Sequence, residues 1–222
     1  MLPCVAAGEV SAQLEALGRL RIVASGGSIV AEESEDTLVF LASGAAKLVA
    51  FASQGREQVV AFHFAGDLIS VPAPRAHAYA LLALRASEAM VFPAGELLSV
   101  AQEHPAMIGR IVYSAYTSLR RSREKSIVIG RKTARERVAS FLVSMAERIG
   151  LPEGNRCVLP LPMSRRDIAD SLGLTIETIS RQLGDLRDDG LIETSGRSTV
   201  RLLDLAALAA CACHLARQSS QI

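Results

Sequence analysis

PMSRRDIADSLGLTIETISRQLGDLRDDGLI, residues 162–192, decides how the rest of the chain is read. It predicts two short helices joined by a tight turn. Ser164 is placed to cap the first, with Asp167 three positions on completing a capping box. Ile168, Ala169 and Leu172 form its apolar stripe. Gly173 ends it where a positive φ costs a glycine little. Thr175 caps the second helix, residues 175–188, whose inner face is read as Ile176, Ile179, Leu183 and Leu186. The small Ala169 allows a close crossing, and Ile179 fills the corner. This is the helix-turn-helix pattern, in which the second helix enters the DNA major groove N-terminus first.

The outward face of that helix carries the candidate chemistry. Glu177 and Arg181 are four apart and share one face, with Ser180 beside Arg181. An arginine can bond a guanine at O6 and N7 together. A glutamate can accept from a cytosine amino group and orient the arginine, while serine is adaptable. On an ordinary exposed helix such a pair contributes only a few tenths of a kcal/mol. Its position just after a well-formed turn favours base reading by Glu177, Ser180 and Arg181. Candidate contacts to the DNA backbone are Ser164, Arg165, Thr175, Thr178 and Arg197.

LGLTIETISRQL, preceded by LPMSRRDIAD, resembles the DNA-binding segment of Crp/Fnr-type bacterial transcription regulators. The Glu-Thr-Ile-Ser-Arg run is the form of the Fnr and FixK-like branches, whereas cyclic-AMP receptor proteins usually carry Arg-Glu-Thr-Val-Gly-Arg. The resemblance holds more weakly, but in register, over almost the whole chain. It implies an α+β architecture: an N-terminal antiparallel β-roll of the cyclic-nucleotide-binding jelly-roll type, a long dimerisation helix, and a C-terminal winged helix-turn-helix. The implied domains are 1–103, 104–130 and 131–222. The implied partners are a palindromic promoter site in double-stranded DNA with TTGA-type half-sites, RNA polymerase, and a second copy of the chain.

Composition sets the outer bounds. The 222 residues, half of them hydrophobic, suffice for one large or two small domains. Net charge is only +1, and from Arg131 onward thirteen basic residues face eleven acidic ones. A DNA surface must therefore come from local placement of charge. The first nine residues lack the pattern of a signal peptide, and the apolar run at 205–216 is too short to span a bilayer, so a cytoplasmic protein is expected. Cys4, Cys157, Cys211 and Cys213 form neither a disulfide framework nor a zinc pattern. Cys157 reads as a small buried hydrophobe.

Between residues 20 and 92 short strand-like runs alternate with turn signals. The strands are expected at 20–24, 37–41, 46–51, 58–64, 81–84 and 89–92. Ser25-Gly26-Gly27, Ser43-Gly44, Gln54-Gly55 and Gly66-Asp67 punctuate them. The pattern predicts an antiparallel roll or barrel. AFHFAGDLIS, residues 61–70, resembles the family's Pro-Gly-Asp or Pro-Gly-Glu turn, with Ala65 in place of the proline.

Pro93 opens a short helix to about Glu103 and Pro105 a longer one. Along the latter, Ile108, Val112, Ala115, Leu119, Ser122, Ser126 and Ile129 alternate spacings of four and three, a heptad-like seam. The narrow seam, bordered by Arg110, Arg120, Arg121 and Arg123, favours pairing with a second copy over packing on its own domain alone. Gly130 is read as a break and a domain boundary. Thr133 caps the next helix, to about Ile149, with Val138, Phe141, Leu142 and Met145 inward. Strands at 158–161 and 191–203 flank the helix-turn-helix. The turn Ser195-Gly196-Arg197-Ser198 makes a wing, and a closing helix begins at Asp204.

The roll departs from its ligand-binding relatives. Where cyclic-AMP receptors carry an Arg-Ser pair, Arg75 is followed by Ala76 and flanked by Pro72 and Pro74, which argues against cyclic-nucleotide binding. An iron–sulfur cluster of Fnr type needs several thiolates, and only Cys4 precedes Cys157. His63 and His77 have no companion ligand at fixed spacing, so no cofactor and no metal are expected. A regulator gated by cyclic nucleotide or haem is the alternative within the family. Outside it stands a cupin-like metal or enzyme module, which needs clustered ligands and leaves Glu177, Ser180 and Arg181 unexplained.

Overall fold

The computed structural model describes residues 9–31, 34–51, 57–75, 77–154, 156–196 and 198–212. Cys4, the Gln54-Gly55 turn, Ala76, Arg197 and Cys213 lie outside them. The chain divides into two compact units, residues 1–121 and 122–222.

In the first unit α1 (Glu9–Leu17) precedes eight strands: β1 (Arg19–Val23), β2 (Ser28–Ala31), β3 (Thr37–Ser43), β4 (Ala45–Phe51), β5 (Glu57–Phe64), β6 (Leu68–Val71), β7 (Ala78–Ala83) and β8 (Ser87–Pro93). They form two antiparallel four-stranded sheets, ordered β1-β8-β3-β6 and β2-β7-β4-β5. Alternation of buried and exposed positions turns one face of each sheet inward. Val39, Leu41, Ile69, Val71 and Val91 from one sheet join Ile29, Val30, Leu48 and Leu81 from the other in a single core. This is the expected roll. Two short strands, β2 and β6, were not legible in the sequence, and β7 starts three residues earlier than expected. At the β5–β6 turn Gly66 adopts φ +91°, and the Asp67 carboxylate accepts from the Phe64 amide at 3.1 Å.

Pro93 precedes α2 (Ala94–Gln102), and α3 runs from Pro105 to Arg131. Gly130 therefore does not break the helix. A helical glycine costs only about 1 kcal/mol relative to alanine, too little to stop α3 before its last residue. The next helix, α4 (Ala134–Ile149), starts at Thr133, whose side chain accepts from the Glu136 amide in a reciprocal capping box, and the two compact units divide earlier, between residues 121 and 122. No residue of α3 is buried, and Val112 and Leu119 are 60% and 49% exposed. Its Ser114 hydroxyl donates to the Leu68 carbonyl at 3.1 Å.

The second unit continues with β9 (Leu151–Glu153), β10 (Arg156–Pro160), α5 (Arg165–Leu172), α6 (Ile176–Asp188), β11 (Ile192–Ser195), β12 (Thr199–Leu202) and α7 (Leu205–Ala212). The strands form one antiparallel sheet, β11-β12-β10-β9. Its core joins Val138, Phe141, Leu142 and Met145 of α4 with Ile168, Leu172, Ile179, Leu186, Val200 and Leu202. Cys157 is only half-buried, against the expectation of a core position. Its strand is short and paired near the sheet's edge with β9.

Candidate nucleic-acid interface

The α5–α6 pair is built as its sequence dictates. Ser164 caps α5: its hydroxyl accepts from the Asp167 amide at 3.1 Å and donates to the Asp167 carboxylate at 2.6 Å. At the other end Gly173 adopts φ +63°, ψ +42°. The amides of Gly173 and Leu174 then both turn back to the Ala169 carbonyl, which satisfies the last turn. Thr175 caps α6 by accepting from the Thr178 amide at 3.2 Å. Ala169 and Ile179, at 1% and 0% exposure, fill the crossing.

Ile176 departs from the sequence reading. It is 42% exposed, while Gln182 takes an inward position with Ile179, Leu183 and Leu186. Residues 175–177 are all exposed, so Ile176 lies on the projecting end of the helix rather than in its packed middle. The Gln182 amide is satisfied by Asp185 at 2.8 Å.

Glu177, Ser180 and Arg181 are all exposed on α6. Glu177 and Arg181, though on one face, are not paired with each other. The Glu177 carboxylate instead accepts from its own amide and from the Thr175 hydroxyl, which holds its pKa below the ordinary carboxylate value. The Thr175 and Thr178 hydroxyls lie 3.1 Å apart. The Ser180 hydroxyl donates back to the Ile176 carbonyl at 2.9 Å. The helix end is thus ordered by its own polar groups. Arg181 has no hydrogen-bond or ion-pair partner among the described residues.

The candidate backbone contacts are placed unevenly. Arg165 is half-buried at the start of α5, and burial lowers its pKa. The Ser164 proton is already engaged by Asp167, so the positive charge beside it is the stronger anchor for an anion.

Two arginines that the sequence reading passed over hold this platform. Arg137 of α4 donates to three carbonyls, those of Lys132 (3.0 Å), Leu172 (3.1 Å) and Ile129 (2.6 Å). It thereby ties the ends of α3 and α5 to α4. Arg135 pairs with Asp189, just past α6. Backbone carbonyls leave no trace in side-chain spacing, so only the Arg135–Asp189 charge complementarity was available to find either residue.

Gly184 sits inside α6, and a Cβ there would meet only the Arg187 Nη2 atom, at 4.0 Å. Gly184→Ala is expected to raise stability by about 0.5–1 kcal/mol through helix propensity. Urea unfolding followed by circular dichroism checks it, and no gain would show that alanine strains the packing of α6.

Residues 136–211 match the Crp-like helix-turn-helix domain. The chain is 34% identical to the nitrogen fixation regulation protein FixK of Bradyrhizobium diazoefficiens, over 81% of this chain and 76% of that protein. It is 33% identical to the transcriptional activator protein FnrL of Cereibacter sphaeroides, over 90% and 83%. The solved structure of FixK2 from Bradyrhizobium japonicum superposes with a TM-score of 0.76 at 30% identity, covering 88% of this chain and 97% of that one. No helix among the described residues is long and apolar enough to cross a membrane. A turn with Gly173 in the left-handed region, an ordered helix end carrying Glu177, Ser180 and Arg181, and these likenesses agree: the chain belongs to the Crp/Fnr family of DNA-binding transcription regulators, close to the FixK branch.

Proposed function

We propose that the chain acts as a homodimer that reads a palindrome of TTGA-type half-sites, arranged as TTGAT-N4-ATCAA, through α6. The observation that carries this is the exposed, unpartnered Arg181 guanidinium on the same helix end as Glu177 and Ser180. Arg181 takes the guanine, and Glu177 swings from the helix end to accept from an amino group opposite and to hold Arg181. Ser180 favours the outer thymines, and the exposed Ile176 adds an apolar surface for a thymine methyl group. Arg165, Ser164, Thr175, Thr178 and Arg197 contact the backbone. A two-fold axis spaces the two α6 helices by about one turn of DNA, roughly 34 Å, which requires a palindrome.

Dimerisation uses Ile108, Val112, Ala115, Leu119, Ser122, Ser126 and Ile129. The lack of any buried residue on α3, with Val112 and Leu119 bare, supports that assignment. In this division of labour residues 1–103 receive the signal, 104–130 pair the copies and 131–222 bind DNA, with RNA polymerase recruited at the bound promoter. Selection from a random DNA pool tests the reading. Recovery of TGTGA half-sites, or of no palindrome, would sink it.

No cofactor is assigned to the roll. Because the Arg-Ser pair is missing, millimolar cyclic AMP is expected to change neither the melting temperature nor DNA affinity. Binding tighter than about 100 µM, roughly −5.5 kcal/mol, would return the roll to the cyclic-nucleotide sensors.

A further inference from the structure

A cleft of about 230 Å³ opens beside the base-reading face, lined by Arg165, Ser180, Leu183, Gly184, Arg187 and Thr194. Three elements contribute: the first residue of α5, the flank of α6 that carries Ser180, Leu183, Gly184 and Arg187, and β11. Among the described residues the lining holds two guanidinium groups and two hydroxyls but no carboxylate, so its chemistry selects an anion. Gly184 keeps the floor open, since no side chain projects there and the nearest atom to a Cβ would be the flexible end of Arg187. Arg187 is held by Asp188, its Nε and Nη2 both 3.2 Å from Oδ1, but that pair is exposed on both sides. Exposed ion pairs exchange partners at little cost. Arg165 is partly desolvated, which strengthens its pull on an anion that enters.

We propose that this cleft seats one phosphodiester of the DNA backbone at the lip of the major groove, clamped between Arg165 and Arg187. The proposal rests on the α6 reading above. Arg187 lies six residues beyond Arg181, about 9 Å along a helix that rises about 1.5 Å per residue. The major groove is about 8.5 Å deep. A helix that enters N-terminus first, with Arg181 at the base edges, therefore carries Arg187 out to the level of the phosphates. Thr194 adds a hydroxyl from β11. The contact positions the helix and adds affinity without adding sequence preference.

The test compares the full-length wild type with Arg187→Gln and Arg187→Lys on duplexes carrying the selected palindrome. Each phosphate around the half-site is replaced in turn by a neutral methylphosphonate. The wild type is expected to lose affinity at one phosphate per half-site, and Arg187→Gln to be blind to that same replacement. Across salt concentrations the slope of log K for Arg187→Gln is expected to fall by about one per cleft, about two for a dimer, with base preference unchanged. Arg187→Lys restores most of the slope. Equal melting temperatures exclude misfolding as the cause. Overturning results are a wild-type slope in Arg187→Gln, or a sensitivity to every methylphosphonate that matches the wild type. A free anion is separated by adding inorganic phosphate at constant ionic strength. If Arg187→Gln abolishes phosphate-dependent stabilisation while leaving the DNA slope intact, the cleft binds a free ion and the DNA assignment falls. If the wild type selects no palindrome, the α6 reading fails and takes the cleft with it. A selected palindrome with an unaltered Arg187→Gln removes the cleft alone.

Discussion

Arg181→Ala is expected to weaken binding to the selected palindrome by about 1–3 kcal/mol per half-site and to flatten preference at the guanine. Two copies on one palindrome double the loss to about 2–6 kcal/mol, or roughly 30-fold to 10⁴-fold in affinity. The size follows from what the side chain leaves behind. Guanine O6 and N7 would face an alanine in a closed groove, with water imperfectly restored. The fold should be untouched, because Arg181 is exposed and its guanidinium has no partner in the described chain. Quantitative gel shifts with each of the four bases at the guanine position provide the measurement. If the variant keeps its preference there, base reading lies elsewhere on α6.

Leu119→Asp is the second large effect. In a single chain Leu119 is half in water, so a carboxylate there costs the monomer little. At a self-paired seam the same change confronts two copies of a charge with each other's apolar surface, and burial of an unpaired charge is costly. Wild-type unfolding cooperativity with a monomeric sedimentation profile and loss of specific DNA binding is therefore expected. A dimeric Leu119→Asp, or a wild type that stays monomeric at micromolar concentration with DNA present, would mean the seam has been misplaced.

The ends of helices were the most legible features of this sequence. Ser164, Gly173, Thr175 and Thr133 act within one turn of themselves, so their local chemistry survives folding unchanged. The apolar stripe of α5 was legible for the same reason. Ile176 was not, because periodicity reports a helix face but not how far along the helix its cover extends. Strands β2 and β6 escaped because four residues give too little alternation to separate them from their turns. Gly130 misled because a helix stops where a competing cap forms rather than where propensity merely dips. At the interface, residue types and their shared face could be read, but the turning of Glu177 toward its own helix end could not. That choice depends on the Thr175 hydroxyl and on amides freed at the first turn. The cleft at Arg165 and Arg187 joins residues 22 positions apart with a strand beyond both, and nothing local marks it.

The bare α3 has a consequence for gene dosage. Pairing along α3, as proposed above, would couple occupancy of the DNA site to how much protein the cell holds. Below the dimer dissociation constant, the concentration of dimer grows as the square of total chain concentration. Doubling synthesis then raises the DNA-competent species about fourfold by mass action. A regulator built this way converts a modest change in its own expression into a sharper change at its promoters. Weakening the seam would move that threshold upward without altering a single contact to DNA.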